Sequence, residues 1–143
     1  SGNPNEFVFV GSDSTQWTLY GNNGNTWQAG TLTTVGNITS GGNITANSDI
    51  SLKDNIEAIP GALDKVLQIR GVTYNRNDIE DNPRQTGVIA QEVEKVLPEV
   101  VNEDANGIKS VAYGNMVGLL IEAIKEQQAR IDALEERLNA DNT

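Results

Sequence analysis

The chain has 143 residues, a formal net charge of −10, and neither Cys nor His. The length suits one domain with an appendage, and the missing Cys and His exclude disulfides, thiol nucleophiles, Cys/His zinc sites and every triad built on an imidazole. The acidity argues against nucleic acid, whose phosphates require a basic face, and no apolar run approaches the ~18 residues of a membrane span, so no membrane insertion is expected.

The first 47 residues are a different material from the rest. They hold eight Asn, eight Gly and two charged side chains, Glu6 and Asp13, whereas all ten Lys and Arg come later. The start at Ser1-Gly2-Asn3-Pro4 is expected of a piece of a longer chain or of an expression scar. Phe7–Val10 and Trp17–Tyr20 are short β-prone runs, and Asn22–Asn25 is turn material. From Leu32 a repeat sets in: Gly36-Asn37-Ile38-Thr39 recurs as Gly42-Asn43-Ile44-Thr45, so Leu32, Ile38, Ile44 and Ile50 stand six residues apart. One apolar residue per six cannot bury itself within one chain; such repeats gain a core by winding against copies of themselves. Residues 1–47 are therefore expected to be the end of an intertwined β fibre, with a flexible Gly/Asn/Thr linker as the alternative. Trp17, Tyr20 and Trp27 are expected to pack inside it rather than to contact sugar.

The composition changes at Ser48-Asp49-Ile50-Ser51-Leu52-Lys53-Asp54-Asn55-Ile56. A Ser hydroxyl becomes a nucleophile when a nearby base takes its proton, and a Lys serves as that base once burial or a neighbouring charge brings its pKa down from ~10.4. Ser48 and Lys53, five residues apart, could meet across a tight turn or one helical turn. Spacing alone does not make them a site.

Residues 54–112 read as a compact α+β domain. Asp54-Asn55-Ile56 is a possible helix start, continued by Ala62–Leu67, with Ile59, Leu63, Val66 and Leu67 at helical spacing. Arg70–Arg76 alternates like a strand, Asn77–Gln85 is a polar loop, and Gly87–Ala90 fits strand or helix. Gln91–Leu97 is helical, with Val93, Val96 and Leu97 on one face and Pro98 as its stop. Val100-Val101 and Ile108–Val111 flank an Asn106-Gly107 turn and predict a hairpin. The acids Glu92, Glu94, Glu103 and Asp104 read as a solvated helix face and a loop tip, so no metal is expected and no cofactor is implied.

The stretch Thr86-Gly87-Val88-Ile89-Ala90-Gln91-Glu92-Val93-Glu94-Lys95-Val96-Leu97-Pro98-Glu99-Val100-Val101 resembles the signature of the C-terminal intramolecular chaperone domain of phage tailspikes and tail fibres, also called the peptidase S74 domain. The resemblance includes Ser48-Asp49, Lys53, Asn55-Ile56, Gly71–Tyr74, Val111–Tyr113 and Leu119–Glu126, and covers about residues 48–138. It implies a domain that assembles three fibre chains and then cuts itself off before the Ser of a Ser-Asp pair. On this chain that makes Ser48 the nucleophile, Lys53 the base and Asn47–Ser48 the scissile bond. Asp49 is ranked as turn-forming first and catalytic second, and the Asn55 amide or a backbone N–H as a possible oxyanion donor. One departure stands out: Ser51 occupies a position where the family often has Arg.

From Tyr113 to about Asn139 the chain is helix-forming. Val117, Ile124, Ile131 and Leu138 fall at heptad position a, and Leu120, Gln127 and Leu134 at d. Glu122, Lys125, Glu126, Arg130, Glu135, Glu136 and Arg137 are expected to face outward. The heptads predict self-association of two or three strands, with Gln127 helping to fix register; the resemblance and the fibre make it a homotrimer. The resulting expectation is a fibre end at 1–47, a chaperone and autoprotease domain at 48–112 and a trimerising helix at 113–143. Assembly belongs in a host cytoplasm and the mature fibre, able to bind a host receptor, in a virion tail. The alternatives are a trimeric receptor-binding tip that is not cut and, sharing the same resemblance, an autoprocessing module of a membrane-tethered transcription factor. The Gly-Asn-Ile-Thr repeat and the absence of a membrane span argue against the latter.

Overall fold

The computed structural model describes residues 31–34, 37–81 and 83–141 in full and the backbone of 6–10, 16–20 and 26–27. It forms two compact units, Ser1–Asp49 and Ile50–Thr143.

In the first unit, strands β1 (Glu6–Val10), β2 (Gln16–Tyr20) and β3 (Thr26–Trp27) make one antiparallel sheet in the order β1-β2-β3. Glu6 pairs with Tyr20 and Val10 with Gln16, so the two β-prone runs become neighbours through the short connection between them. The turn expected at Asn22–Asn25 and the side chains of Trp17, Tyr20 and Trp27 lie outside the described residues. Residues 31–34 and 37–49 form neither helix nor strand, and all are exposed. Leu32, Ile38 and Ile44 expose 46%, 63% and 81% of their surface. Within a single chain the six-residue repeat therefore buries none of its described apolar side chains.

The second unit is α+β, with two small sheets and a long C-terminal helix. Its elements are α1 (Ala62–Val66), β4 (Val72–Tyr74), β5 (Gln85–Gly87), α2 (Ala90–Glu94), β6 (Val101–Glu103), β7 (Lys109–Val111) and α3 (Met116–Asp141). The pairs β4–β5 and β6–β7 are separate antiparallel ribbons. Asn106-Gly107 turns the second ribbon, and the Asp104 carboxylate accepts from the amides of Asn106 and Ile108 at 2.9 and 2.8 Å. α2 ends at Glu94, short of the expected Leu97 and before Pro98 is reached; Pro98 instead opens a short 3₁₀ turn, Pro98–Val100, where its missing N–H costs nothing. The core gathers Ala62, Val93, Leu97, Val100, Met116, Leu119 and Ala123, ringed by Ile59, Leu63, Val66, Ile69, Val88 and others.

Two expectations are corrected here. Asp54-Asn55-Ile56 starts no helix: Asn55 stands at φ 52, in the left-handed region, and α1 begins only after Pro60-Gly61. The face of α3 expected to be wholly outward is not. Met116, Leu119 and Ala123 are buried and Glu126 is half-buried, a series stepping by three and four residues that falls on heptad positions c and g. One helix thus carries two seams. The c/g seam packs on its own domain. The apolar a/d positions are exposed, from 41% at Ile131 to 65% at Ile124. Residues 127–141 are exposed throughout.

Candidate functional site

Ser48 and Asp49 close the first unit, and Lys53 and Asn55 lie at the start of the second. Each of these four side chains is solvent-exposed, as is every residue from Ser40 to Ala58. Locally the chain makes one 3₁₀ turn at Ile50–Leu52, closed by the Lys53 amide donating to the Ile50 carbonyl at 3.1 Å. Asn55 follows in the left-handed conformation, which Asn visits more cheaply than other residues with a Cβ because its short amide finds local backbone partners. A β-branched residue there would strain the backbone by about 1–2 kcal/mol. Asn55 therefore sets the direction in which the chain leaves Lys53, a role that its backbone performs whatever its amide does. Packing of the second unit does not desolvate Lys53, and a lysine base requires desolvation or a neighbouring positive charge.

The stretch from Lys53 to Gly61 is held at its far end. Ile59 is half-buried and reaches α3 at Gly118, where an added Cβ would stand 3.8 Å from Ile59 Cδ1. Gly61, at φ 61 and ψ 35, supplies a bend that a Cβ disfavours but brings no side chain to cap α1. The cap comes from α3 instead: Glu126 Oε1 and Oε2 accept from the amides of Ala62 and Leu63, both at 2.9 Å. These two backbone hydrogen bonds, Leu63's first, hold the Glu126 carboxyl below the ordinary carboxylate range. Neither partner is near the other in sequence, and the only hint of the contact is Glu126's place in the c/g series.

The motif that carries the family resemblance turns out to be packing. Val93, Leu97 and Val100 lie in the core. Gly87 is required by Tyr113: a Cβ there would be 2.5 Å from the tyrosine oxygen. That hydroxyl accepts from the Val88 amide at 3.2 Å, tying the 3₁₀ turn that precedes α3, Tyr113–Asn115, to the β5–α2 connection. Of the acids weighed as metal ligands, Glu92, Glu94 and Glu103 are engaged in ion pairs and Asp104 accepts from backbone amides. Glu92 grips Arg70, whose hydrogen bond holds the Glu92 carboxyl below its ordinary pKa. Lys109 bridges Glu94 and Glu103 at 2.6 and 2.7 Å, fixing the β6–β7 ribbon to α2, and the two hydrogen bonds raise its pKa.

Comparison with known proteins matches residues 48–102 to the family described as chaperone of endosialidase, Peptidase_S74. The chain is 37% identical over 94 residues to the long tail fiber protein Gp37 of Enterobacteria phage K3, covering 61% of this chain and 8% of that protein. The Gp37 of Enterobacteria phage T2 is likewise 37% identical, with 7% of its length covered. That of phage M1 is 36% identical over 81 residues, 52% of this chain and 32% of the relative. The chain thus spans less than a tenth of the first two relatives.

Proposed function

With residues 48–102 similar to the chaperone-of-endosialidase family, we propose that the second unit is an intramolecular chaperone that trimerises and registers the end of a phage tail fibre, then releases itself by cutting at Asn47–Ser48. The observation that carries the reading is where the match begins: at residue 48, the first residue past the composition change. The physical problem is register. A six-residue repeat permits slips of one repeat, and three chains must be aligned before they can wind. A C-terminal trimer brings the chain ends to high effective concentration, so that nucleation becomes nearly intramolecular. The exposed a/d stripe of Val117, Leu120, Ile124, Gln127, Ile131, Leu134 and Leu138 is the surface for it.

Ser48 Oγ then attacks the Asn47 carbonyl carbon as Lys53 takes its proton, the Asn47–Ser48 C–N bond breaks, and the Ser48 nitrogen is protonated. Water hydrolyses the ester, leaving an Asn47 carboxylate and a free Ser48. A backbone N–H or the Asn55 amide would stabilise the oxyanion. Because Lys53 is exposed in one chain, its desolvation is assigned to neighbouring chains in the trimer. The cut fibre persists through its unfolding barrier, a kinetic stability. Assembly is placed in the host cytoplasm and the fibre in the virion tail, where its tip binds a host receptor.

The second reading, an uncut trimeric receptor-binding tip, is favoured by the exposure of Lys53 and by Ser51 standing where the family often has Arg. Mass measurement decides between them. Self-cleavage gives fragments 1–47 and 48–143. Ser48→Ala stays whole yet folded, and Lys53→Arg, which keeps the charge but does not deprotonate near neutrality, cuts as poorly as Lys53→Ala. A whole wild-type chain in an assembled trimer supports the uncut tip.

A further inference from the structure

The stretch 53–61 has little packing of its own: Lys53–Ala58, Pro60 and Gly61 are exposed, and Ile59 is half-buried. It is anchored on α3 at two levels, by Ile59 beside Gly118 and by Glu126 on the amides of Ala62 and Leu63. The cap bridges 64 and 63 residues of sequence. It sits in the same helical turn as Ile124 and Gln127, which belong to the exposed a/d stripe. Both carboxylate oxygens are engaged, so the contact fixes direction as well as distance; a Gln in its place has one acceptor oxygen. A second tie, Arg130 to Asp64 at 3.0 Å, lies one turn further along the same seam.

We propose that Glu126 is a positioning residue for the junction: it ties the start of α1, and with it the chain leading back to Lys53, to the turn of α3 on which chains associate. Ordering α3 at Ile124 and Gln127 then orders the cap, and the cap fixes the downstream end of the reactive turn. By linkage, whatever loosens the cap weakens the response of the junction to assembly. The proposal deepens the self-cleavage reading and rests on it for its catalytic consequence, but the anchoring is measurable without any cut.

The test refolds the full chain from denaturant and follows three quantities on each sample: cleavage on a gel, mass by sedimentation, and amide hydrogen exchange over residues 54–63. The variants are Glu126→Ala, Glu126→Gln and, as an equal charge change on the exposed part of α3, Glu135→Ala. Glu126→Ala is expected to remain trimeric, to cut roughly five- to tenfold more slowly, as loss of a helix cap implies, and to exchange faster over 54–63. Glu126→Gln, which keeps one of the two acceptors, should cut at a rate between Glu126→Ala and the wild type, and Glu135→Ala should match the wild type. Glu126→Ala cutting at the wild-type rate would overturn the proposal, as would unchanged exchange over 54–63. Equal losses in Glu126→Ala and Glu126→Gln that follow loss of the trimer would reduce Glu126 to a stability residue. If the wild-type chain stays whole, self-cleavage fails as a reading, and the exchange result alone decides whether Glu126 anchors the segment.

Discussion

Residues 31–49 and residues 50–126 use apolar side chains in opposite ways. In the first stretch Leu32, Ile38 and Ile44 stand at regular intervals and all are exposed. In the second, Val93 and Leu119 are fully buried in a core assembled from α1, α2, α3 and the turn between α2 and β6. The difference is one of period. A repeat of six places its apolar residues too sparsely for a chain to fold back on them, whereas steps of three and four along α3 build a continuous stripe that finds partners within its own unit. Helix α3 then repeats the contrast within itself, since its c/g seam is satisfied at home and its a/d seam is not. Local order and unsatisfied apolar surface can occupy one element, and the proposed association of copies uses the unsatisfied surface.

The largest effect is expected from charging the exposed seam. Ile124→Asp with Ile131→Asp places carboxylates at two successive a positions, and an unpaired charge buried between chains costs about 3–5 kcal/mol. Association should be lost, while the 50–126 body, whose core contains neither residue, keeps its circular dichroism and its cooperative denaturant transition. Sedimentation together with far-UV melting checks both halves. A body that melts along with the oligomer would mean that the two seams are one folding unit, and the contrast between them would collapse.

How far the sequence led follows the same division. The β1 and β2 runs, the hairpin around Asn106-Gly107, the long C-terminal helix (though expected from Tyr113, where a 3₁₀ turn precedes its start at Met116) and the family motif were all legible, because each is written in adjacent residues. The late start of α1 was not, since it depends on Gly61's left-handed backbone and on a cap supplied by Glu126 from the far end of the unit. The c/g seam of Met116, Leu119 and Ala123 is overshadowed in the sequence by the longer a/d pattern of the same helix. At the junction the sequence supplied Ser48, Lys53 and their spacing. It did not supply their environment, which depends on what surrounds an exposed turn rather than on residues near it.

A smaller effect sharpens the account of the body. Gly87→Ala sets a methyl 2.5 Å from the Tyr113 oxygen, and overpacking of this kind costs about 1–3 kcal/mol. Tyr113→Phe alone should cost about 1 kcal/mol, for the lost acceptor of the Val88 amide. Together the two changes should cost less than their sum, because removing the hydroxyl opens the space that the methyl needs. Denaturant midpoints of the four proteins measure the cycle, and additive costs would place the clash elsewhere.

The smallest effect is the response to pH, and it separates the two regions by composition alone. Residues 31–48 contain no titratable side chain, so acid has nothing to act on there. The body has four carboxylates held below their ordinary values: Asp78 by Arg76, Glu92 by Arg70, Asp104 by the Ile108 amide and Glu126 by the amides of Leu63 and Ala62. A depressed folded pKa contributes stability that is complete above the unfolded value, 4.5 for Glu and 3.8 for Asp, and that is lost as pH falls through the folded one. Lys109 acts at the other limit. Its pKa is raised from 10.5 by Glu103 and Glu94, so its contribution is present below that value and lost as pH rises through the folded one. The denaturant midpoint of the body should therefore be flat from about pH 5 to pH 10 and fall on both sides. All these groups are near the surface, so each limb is shallow and weakens with salt. Glu126→Gln and Asp104→Asn should each flatten the acid limb and leave the alkaline one unchanged, while Lys109→Met should do the reverse. An acid limb that survives both carboxylate changes would have to come from Asp78 and Glu92, and the cap on α1 would then contribute less to the body than its two hydrogen bonds imply.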